Sequence, residues 1–304
     1  MKNSSRFNII NGKCVVPRGV TELLEDEFTG CTQIKEIELP DTLESIGCSF
    51  WSCTSLKSIR IPAGIKTIPS SAFFGCTSLE SVDLPDTLEV IDSQAFEWCC
   101  NLKSIRIPAS VSSIHSSAFN NCPRLEHIEV DPGNHVYRSV SDTILTADGK
   151  TLVLGCNSSV VPDGVLTIGN RSFLGCSGLK HINIPRSVKV IEGFAFYECI
   201  GLRRIVIPDS VEYMGEYLFY KCSRLKELVL RCRYSQKEDY TFGGVDSLTD
   251  LYLSHGPEEN ANLAYSLKKG RALTKDITLH VPEGTEKDYK KHTYFKKFKY
   301  ITTE

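Results

Sequence analysis

The sequence predicts an α/β-type repeat solenoid that is mostly β: a right-handed coil with a parallel sheet on one face and short helical turns. Three observations predict it. Short phrases recur: LKSIRIP stands at Leu56–Pro62 and again at Leu102–Pro108, and LPDTLE at Leu39–Glu44 and Leu84–Glu89. Cys recurs at Cys31, Cys53, Cys76, Cys99, Cys122, Cys176, Cys199 and Cys222, in steps of 22, 23, 23, 23, 54, 23 and 23 residues. The surroundings of each Cys recur with it. Phe stands three positions before (Phe28, Phe50, Phe73, Phe96, Phe119, Phe173, Phe196, Phe219), Ile or Leu three after, and Pro nine after in six of the eight turns. Asp131 and Arg231 replace that Pro in the other two turns, and a ninth, degenerate turn keeps register with Phe242, Val245 and Leu248.

Each element follows in order. Residues 1–16 read as a hairpin that caps the first repeat, because Asn11-Gly12 is a type I′ turn signal between two apolar runs. Residues 17–254 hold the repeats. In LKSIRIP, Leu56, Ile59 and Ile61 point inward while Ser58 and Arg60 point outward, the alternation of a strand; Pro62, with no N–H, ends the ladder. In SSAFFGC, Ala72, Phe73 and Cys76 have helical spacing, which predicts a short helical turn. One such unit cannot bury its apolar side, but stacked copies bury a continuous core with strands about 4.8 Å apart. The long step from Cys122 to Cys176 predicts a hairpin insertion at 132–162, turning near Asp148-Gly149. Residues 255–304 read as a helix over Pro257–Gly270 followed by a C-terminal cap, so that 1–304 form a single solenoid.

Composition excludes several classes of function. Of 304 residues, 41% are hydrophobic and 24% charged, ordinary for a soluble folded chain. The net charge of -2 supplies no basic field to draw in nucleic acid or an anionic membrane. No apolar run approaches the roughly 20 residues of a spanning helix, and MKNSSRFNIINGK lacks the apolar segment of a signal peptide. No Ser/His/Asp set, carboxylate pair, Gly-rich phosphate loop or metal-ligand spacing stands out, so no catalytic residue, metal or cofactor is expected. His127 and His181 share an outward position two strand spacings apart, about 10 Å, too far for one ion. The 13 Cys include no C-x-x-C and follow the repeat period. Stacked at about 5 Å with parallel Cβ vectors they miss the ~3.8 Å of a disulfide, so they read as reduced core residues.

The pattern L-x-x-I-x-I-P-x-x-V-x-x-I-x-x-x-A-F-x-x-C over residues 17–254 resembles the BspA-like leucine-rich repeat family, and ITLHVPEGTEKDYKKHTYFKKFKYI resembles that family's C-terminal capping segment. The resemblance implies a leucine-rich-repeat solenoid and an exported or surface protein of bacteria. It further implies adhesion or protein–protein contact, with a host or matrix protein as partner, and no catalysis. The alternative is a structural spacer or intracellular scaffold without a dedicated ligand site.

Outward positions locate the candidate site. Two residues before the Pro position, Glu38, Arg60, Asp83, Arg106 and Glu129 alternate in sign, so neighbouring strands pair their own charges. At the same position Val206, Val229 and Tyr252 form an apolar stripe, flanked by Arg204 and Glu227, and these are the expected partner-binding residues. The other possibility is that 255–273 folds over the stripe, which leaves an aromatic edge around Trp51 and Phe74 as the alternative patch. Thiol titration in denaturant is expected to count all 13 Cys as free; three or more disulfides in native preparations would refute the reduced ladder.

Overall fold

The computed structural model describes residues 6–234, 240–269 and 276–303. The chain divides into two compact units, Met1–Ala147 and Asp148–Glu304.

In the first unit, strands ahead of the Pro position pair in parallel: Lys13–Val15 with Glu36–Glu38, Ser58–Arg60 with Ser81–Asp83, and Ser104–Ile107 with His127–Val130. Strands after it, Thr67–Ile68, Val90–Ile91 and Ser113–Ile114, form a second parallel sheet. The sequence predicts only the first sheet. Each strand of the second is two residues long, too short to show an alternating pattern.

The Phe–Cys segment is a run of turns rather than a helical turn. The N–H groups of Ala72 and Cys76 donate back to the Pro69 and Phe73 carbonyls, both at 3.1 Å, but those of Phe73 and Gly75 donate to Ala95 (2.9 Å) and Glu97 (2.8 Å) in the next turn of the coil. An α-helix would keep these donors within itself; here alternate donors tie one turn to the next. Two residues after the ladder Phe the backbone is left-handed every time, at Gly30, Ser52, Gly75, Trp98 and Asn121, with φ between 56° and 70°.

The stacking is tight. Phe28, Phe50, Phe73, Phe96 and Phe119 are buried, and successive ring centroids lie 5.5, 5.2, 5.3 and 5.2 Å apart, with planes within 14° of parallel. The ladder cysteines have a specific role. The carbonyls of Phe28, Phe50, Phe73 and Phe96 each accept the N–H of the Cys in their own turn and the thiol of the Cys in the following turn. Cys53 Sγ donates to Phe28 O (3.1 Å), Cys76 to Phe50 O (3.1 Å), Cys99 to Phe73 O (3.3 Å) and Cys122 to Phe96 O (3.2 Å). Both lone pairs of a buried carbonyl are thereby used. Cys supplies a weak donor and little volume in an apolar setting. The Thr of LPDTLE acts similarly: Thr42 and Thr87 hydroxyls donate to the Val20 and Ala63 carbonyls of the preceding turn at 2.8 and 2.6 Å.

Caps close the first unit. At the N-terminus Ile9–Ile10 pairs antiparallel with Lys13–Val15 through Asn11-Gly12, both at positive φ as a type I′ turn requires. Arg6 lies 2.9 Å from the Glu27 carboxylate, whose side chain is 1% exposed. The insertion holds an antiparallel hairpin, Tyr137–Val140 with Thr143–Thr146, turning at Ser141-Asp142, and the chain turns again at the predicted Asp148-Gly149, where Gly149 holds φ of 70° and Lys150 N–H donates to Asp148 Oδ1 (3.0 Å). Positive φ at both residues of the first turn without any Gly hides it from the sequence. Its side chains satisfy N–H groups of the last full turns: Ile114 donates to Tyr137 Oη, Ile128 to Asp142 Oδ1 and Val130 to Ser139 Oγ.

In the second unit, Thr151–Leu154, Thr167–Ile168, Val190–Ile191 and Tyr213–Met214 form one parallel sheet. Arg204–Ile207, Glu227–Leu230, Asp250–Leu253, Thr278–Val281 and Tyr300–Thr303 form another. Phe173, Phe196, Phe219 and Phe242 continue the ladder pattern with centroids 5.4, 6.0 and 6.0 Å apart. The helix α1 runs over Ala261–Lys269; residues 257–260 form a turn ahead of it, and Gly270 lies outside the described residues. Ser266 of α1 meets the hydroxyl of buried Tyr234 (3.3 Å), which packs against Phe242, so the helix lies on the Phe-ladder side of the sheet. A second helix, α2 (Glu286–Lys291), buries Tyr289 against Phe295.

Phe73→Ala removes a fully buried ring stacked on both sides, and should cost roughly 3–5 kcal/mol in chemical denaturation. The thiols carry a pH signature. Burial pushes the Cys76 and Cys232 thiols up to about 12 and that of Cys14 to about 11, and raises those of Cys53, Cys99, Cys122, Cys199 and Cys222 as well. Unfolded, these groups lose their protons near pH 8.5; folded, they retain them. Their contribution is therefore complete below about pH 8.5 and is lost as pH rises toward about 12, at about 1.4 kcal/mol per pH unit for each fully buried thiol. Urea midpoints under reducing conditions should fall steeply between about pH 8.5 and 10.5; a flat profile would contradict this.

Candidate interaction surface

The outward strand positions differ between the two units. In the first, charges are matched across the ladder: Lys13 lies 2.5 Å from Glu38, Arg60 3.7 Å from Asp83, Lys103 2.6 Å from Glu80, and Arg106 2.5 Å from Asp131 and 3.2 Å from Asp86. Pairs this exposed add a few tenths of a kcal/mol to about 1 kcal/mol each. A partner would have to strip their water for little return.

In the second unit, the register aligns Val206 with Val229, Val229 with Tyr252, Tyr252 with His280 and His280 with Thr302. The expected stripe is thus brought together, and His280 extends it. Sequence spacing could not supply His280, since 28 residues rather than 23 separate it from Tyr252. Exposure is uneven: Val206 and Tyr252 are half-buried, whereas Val229 is 7% exposed. The Tyr252 and His280 rings stack at 3.9 Å and 6°. His280 Nε2 lies 2.9 Å from Asp250 Oδ1, and this hydrogen bond holds the Asp250 carboxyl below its ordinary range against the opposing effect of burial. Arg204 and Glu227, placed by the sequence beside the stripe, face each other at 2.5 Å.

Along the turn edge, Trp51 is 46% exposed and its ring lies 6.2 Å from half-buried Phe74. The second unit carries a larger aromatic edge. Two residues before the ladder Phe stand Phe194, Tyr217 and Tyr240, stacked at 4.9 and 5.4 Å, with the Arg171 guanidinium 4.6 Å from the Phe194 ring. Tyr197 and Tyr220 stack beside them at 5.1 Å, with the Lys221 ammonium 5.7 Å from each ring. The signal was available, since Phe194, Tyr217 and Tyr240 recur at the 23-residue period. Phe194 and Tyr217 hold φ of 60° and 55°, a left-handed backbone that is costly for bulky residues; in the first unit the same position is filled by Ser71 and Gln94.

His127 and His181 fall in different units, and His127 Nδ1 lies 3.5 Å from Asp142 Oδ1. Among the described residues no three His, Cys, Asp or Glu side chains are grouped to hold a metal.

Comparison with known proteins agrees with this architecture. No curated protein matches the chain. A leucine-rich repeat protein from Eubacterium ventriosum is 22% identical with a TM-score of 0.66, over 82% of this chain and 76% of that one. The pneumococcal vaccine antigen PcpA is 20% identical with a TM-score of 0.67, over 96% and 79%. A leucine-rich cell surface protein from Faecalibacterium prausnitzii is 21% identical with a TM-score of 0.58, over 94% and 70%. At these identities the likeness is one of fold. The BspA type leucine-rich repeat region matches in six copies over residues 7–126 and 154–267. With this repeat match over most of its length and a mostly β repeat fold, the chain belongs to the BspA-type leucine-rich repeat family.

Proposed function

We propose that this chain is a non-catalytic protein-interaction module acting at the cell surface or as a secreted protein, with its contact face on the outward strands of the second unit. The observation that carries the reading is the in-register row Val206, Val229 and Tyr252, continued by His280, on a face whose other outward positions are mostly polar or charged. Val206 and Tyr252 supply the accessible apolar and aromatic area, and the Arg204–Glu227 pair borders the row and sets orientation. Family membership and the surface location in the name of the Faecalibacterium protein support the location. No helix among the described residues is long and apolar enough to cross a membrane. A second reading places contact on the aromatic edge at Trp51 and Phe74, favoured by the exposure of Trp51.

Val206→Asp combined with Tyr252→Ala should weaken binding to a partner recovered by surface cross-linking at least about tenfold, near 1.4 kcal/mol. The melting temperature should move by less than about 4 °C. Arg60→Ala with Arg106→Ala should bind as the unaltered chain does. If Trp51→Ala abolishes binding while the first pair does not, contact lies on the edge instead. Val229→Asp places a carboxylate at a buried position, so it should unfold the second unit and is unsuited to the test.

A further inference from the structure

We infer that the second unit carries a docking face for an acidic amphipathic helix of a protein partner, with the helix carboxylates on Lys180, Arg203 and Lys226 and its apolar side chains on Val206 and Tyr252. The inference rests on the proposed contact face and names the chemistry of what occupies it.

The three cations occupy one position of the repeat, immediately after core residues Leu179, Leu202 and Leu225, and all three are exposed. Backbone bonds join them across successive turns: Arg203 N–H donates to Lys180 O (3.3 Å) and Lys226 N–H to Arg203 O (2.9 Å). Adjacent turns lie about 4.8 Å apart, so three like charges stand within about 10 Å, an arrangement that destabilises a sheet. Nothing nearby relieves it. Among the described residues none of the three makes an ion pair. The neighbouring carboxylates are engaged elsewhere, Glu227 by Arg204 at 2.5 Å and Asp250 by His280 at 2.9 Å.

The same position in the first unit provides the internal comparison. It reads Lys35, Lys57, Glu80, Lys103 and Glu126, alternating in sign from Lys57 onward. Glu80 lies 2.6 Å from Lys103, and the hydrogen bond and charge of Lys103, aided by Lys57 and Arg124, hold its carboxyl below the ordinary range. The fold therefore tolerates an alternating row here, and the second unit lacks the acidic member. A row of unmatched cations invites an external anion.

The row's neighbours select which anion. Val206 lies three residues beyond Arg203, and Val229 three beyond Lys226, about 10 Å along the strand. That offset equals the diameter of an α-helix, and the helix pitch of about 5.4 Å nearly matches the turn spacing of about 4.8 Å. A helix lying across the strands presents one carboxylate per turn to each cation, and its apolar stripe to Val206 and Tyr252. The accumulated mismatch over three turns, about 1 Å, is within the reach of Lys and Arg side chains. An extended acidic peptide repeats same-side carboxylates every ~6.7 Å, a poorer match. An acidic polysaccharide offers no apolar stripe for Val206 and Tyr252.

The test uses the full chain and fluorescent peptides of about 18 residues. One carries Glu at i, i+4 and i+7 with Leu on the adjacent stripe; a second scrambles the same composition. Polyglutamate and heparin are the other probes. The patterned peptide should bind, weaken with salt, and bind at least about tenfold better than its scramble. K180E/R203E/K226E should lose at least about tenfold with little change in melting temperature, because one like-charge row replaces another. Lys57→Glu with Lys103→Glu should leave peptide binding unchanged. If rail reversal leaves peptide binding intact but V206D/Y252A abolishes it, the proposed face stands and the helix inference falls. If rail reversal abolishes binding while V206D/Y252A does not, or scramble, polyglutamate or heparin bind as well as the patterned peptide, the site takes an unstructured polyanion and the helix is excluded. No binding of the patterned peptide overturns the inference.

Discussion

Hydrogen bonds between successive turns of the coil hold them about 5 Å apart, and every other regularity in each unit is subordinate to that spacing. The N–H groups of Phe73 and Gly75 leave their own turn to reach Ala95 and Glu97. Rings of Phe50, Phe73, Phe96 and Phe119 then have no choice but to stack at 5.2–5.3 Å. The Phe carbonyl, fixed between two turns, needs a second donor from a side chain small enough to sit inside the ladder. A thiol meets both demands, which explains why Cys rather than Ala or Ser holds the register.

The same spacing governs the surface. Side chains one repeat apart are as close as cross-strand neighbours in any sheet, so charge order along a column has energetic consequences. The first unit alternates Lys57, Glu80 and Lys103 and satisfies itself. The second breaks the alternation at Lys180, Arg203 and Lys226 and replaces outward charge with Val206, Val229 and Tyr252. Similar backbones thus present two faces with opposite consequences for binding: one already neutralised, the other with unbalanced charge next to apolar area.

Backbone strain follows the same lattice. A left-handed residue two places after the ladder Phe recurs whether the chain supplies Gly30, Ser52 or Trp98, because the turn geometry demands it. Where an aromatic occupies a left-handed position, as at Phe194 and Tyr217, ring stacking at 4.9 Å offsets part of the cost. The aromatic edge is therefore partly explained by packing. This is why the strand face, where no packing accounts for the like-charge column, is the stronger candidate for contact.

Much of this protein is legible from sequence because a repeat writes its tertiary contacts as a period. The 23-residue spacing determined the Phe and Cys ladders, the inward Leu and Ile, the outward columns and the adjacency of Val206, Val229 and Tyr252. Tertiary structure decided what the period does not carry. It added a second sheet to the predicted one, since two-residue strands leave no pattern. It added a turn to the insertion at Ser141-Asp142, where no Gly marks the bend. It set His280 against Tyr252 across an irregular 28-residue step and buried Val229 while leaving Val206 half-exposed. The period specifies which residues share a column; how deep each one sits depends on the side chains that neighbouring columns and caps bring over it, and those contacts join residues that no repeat relates.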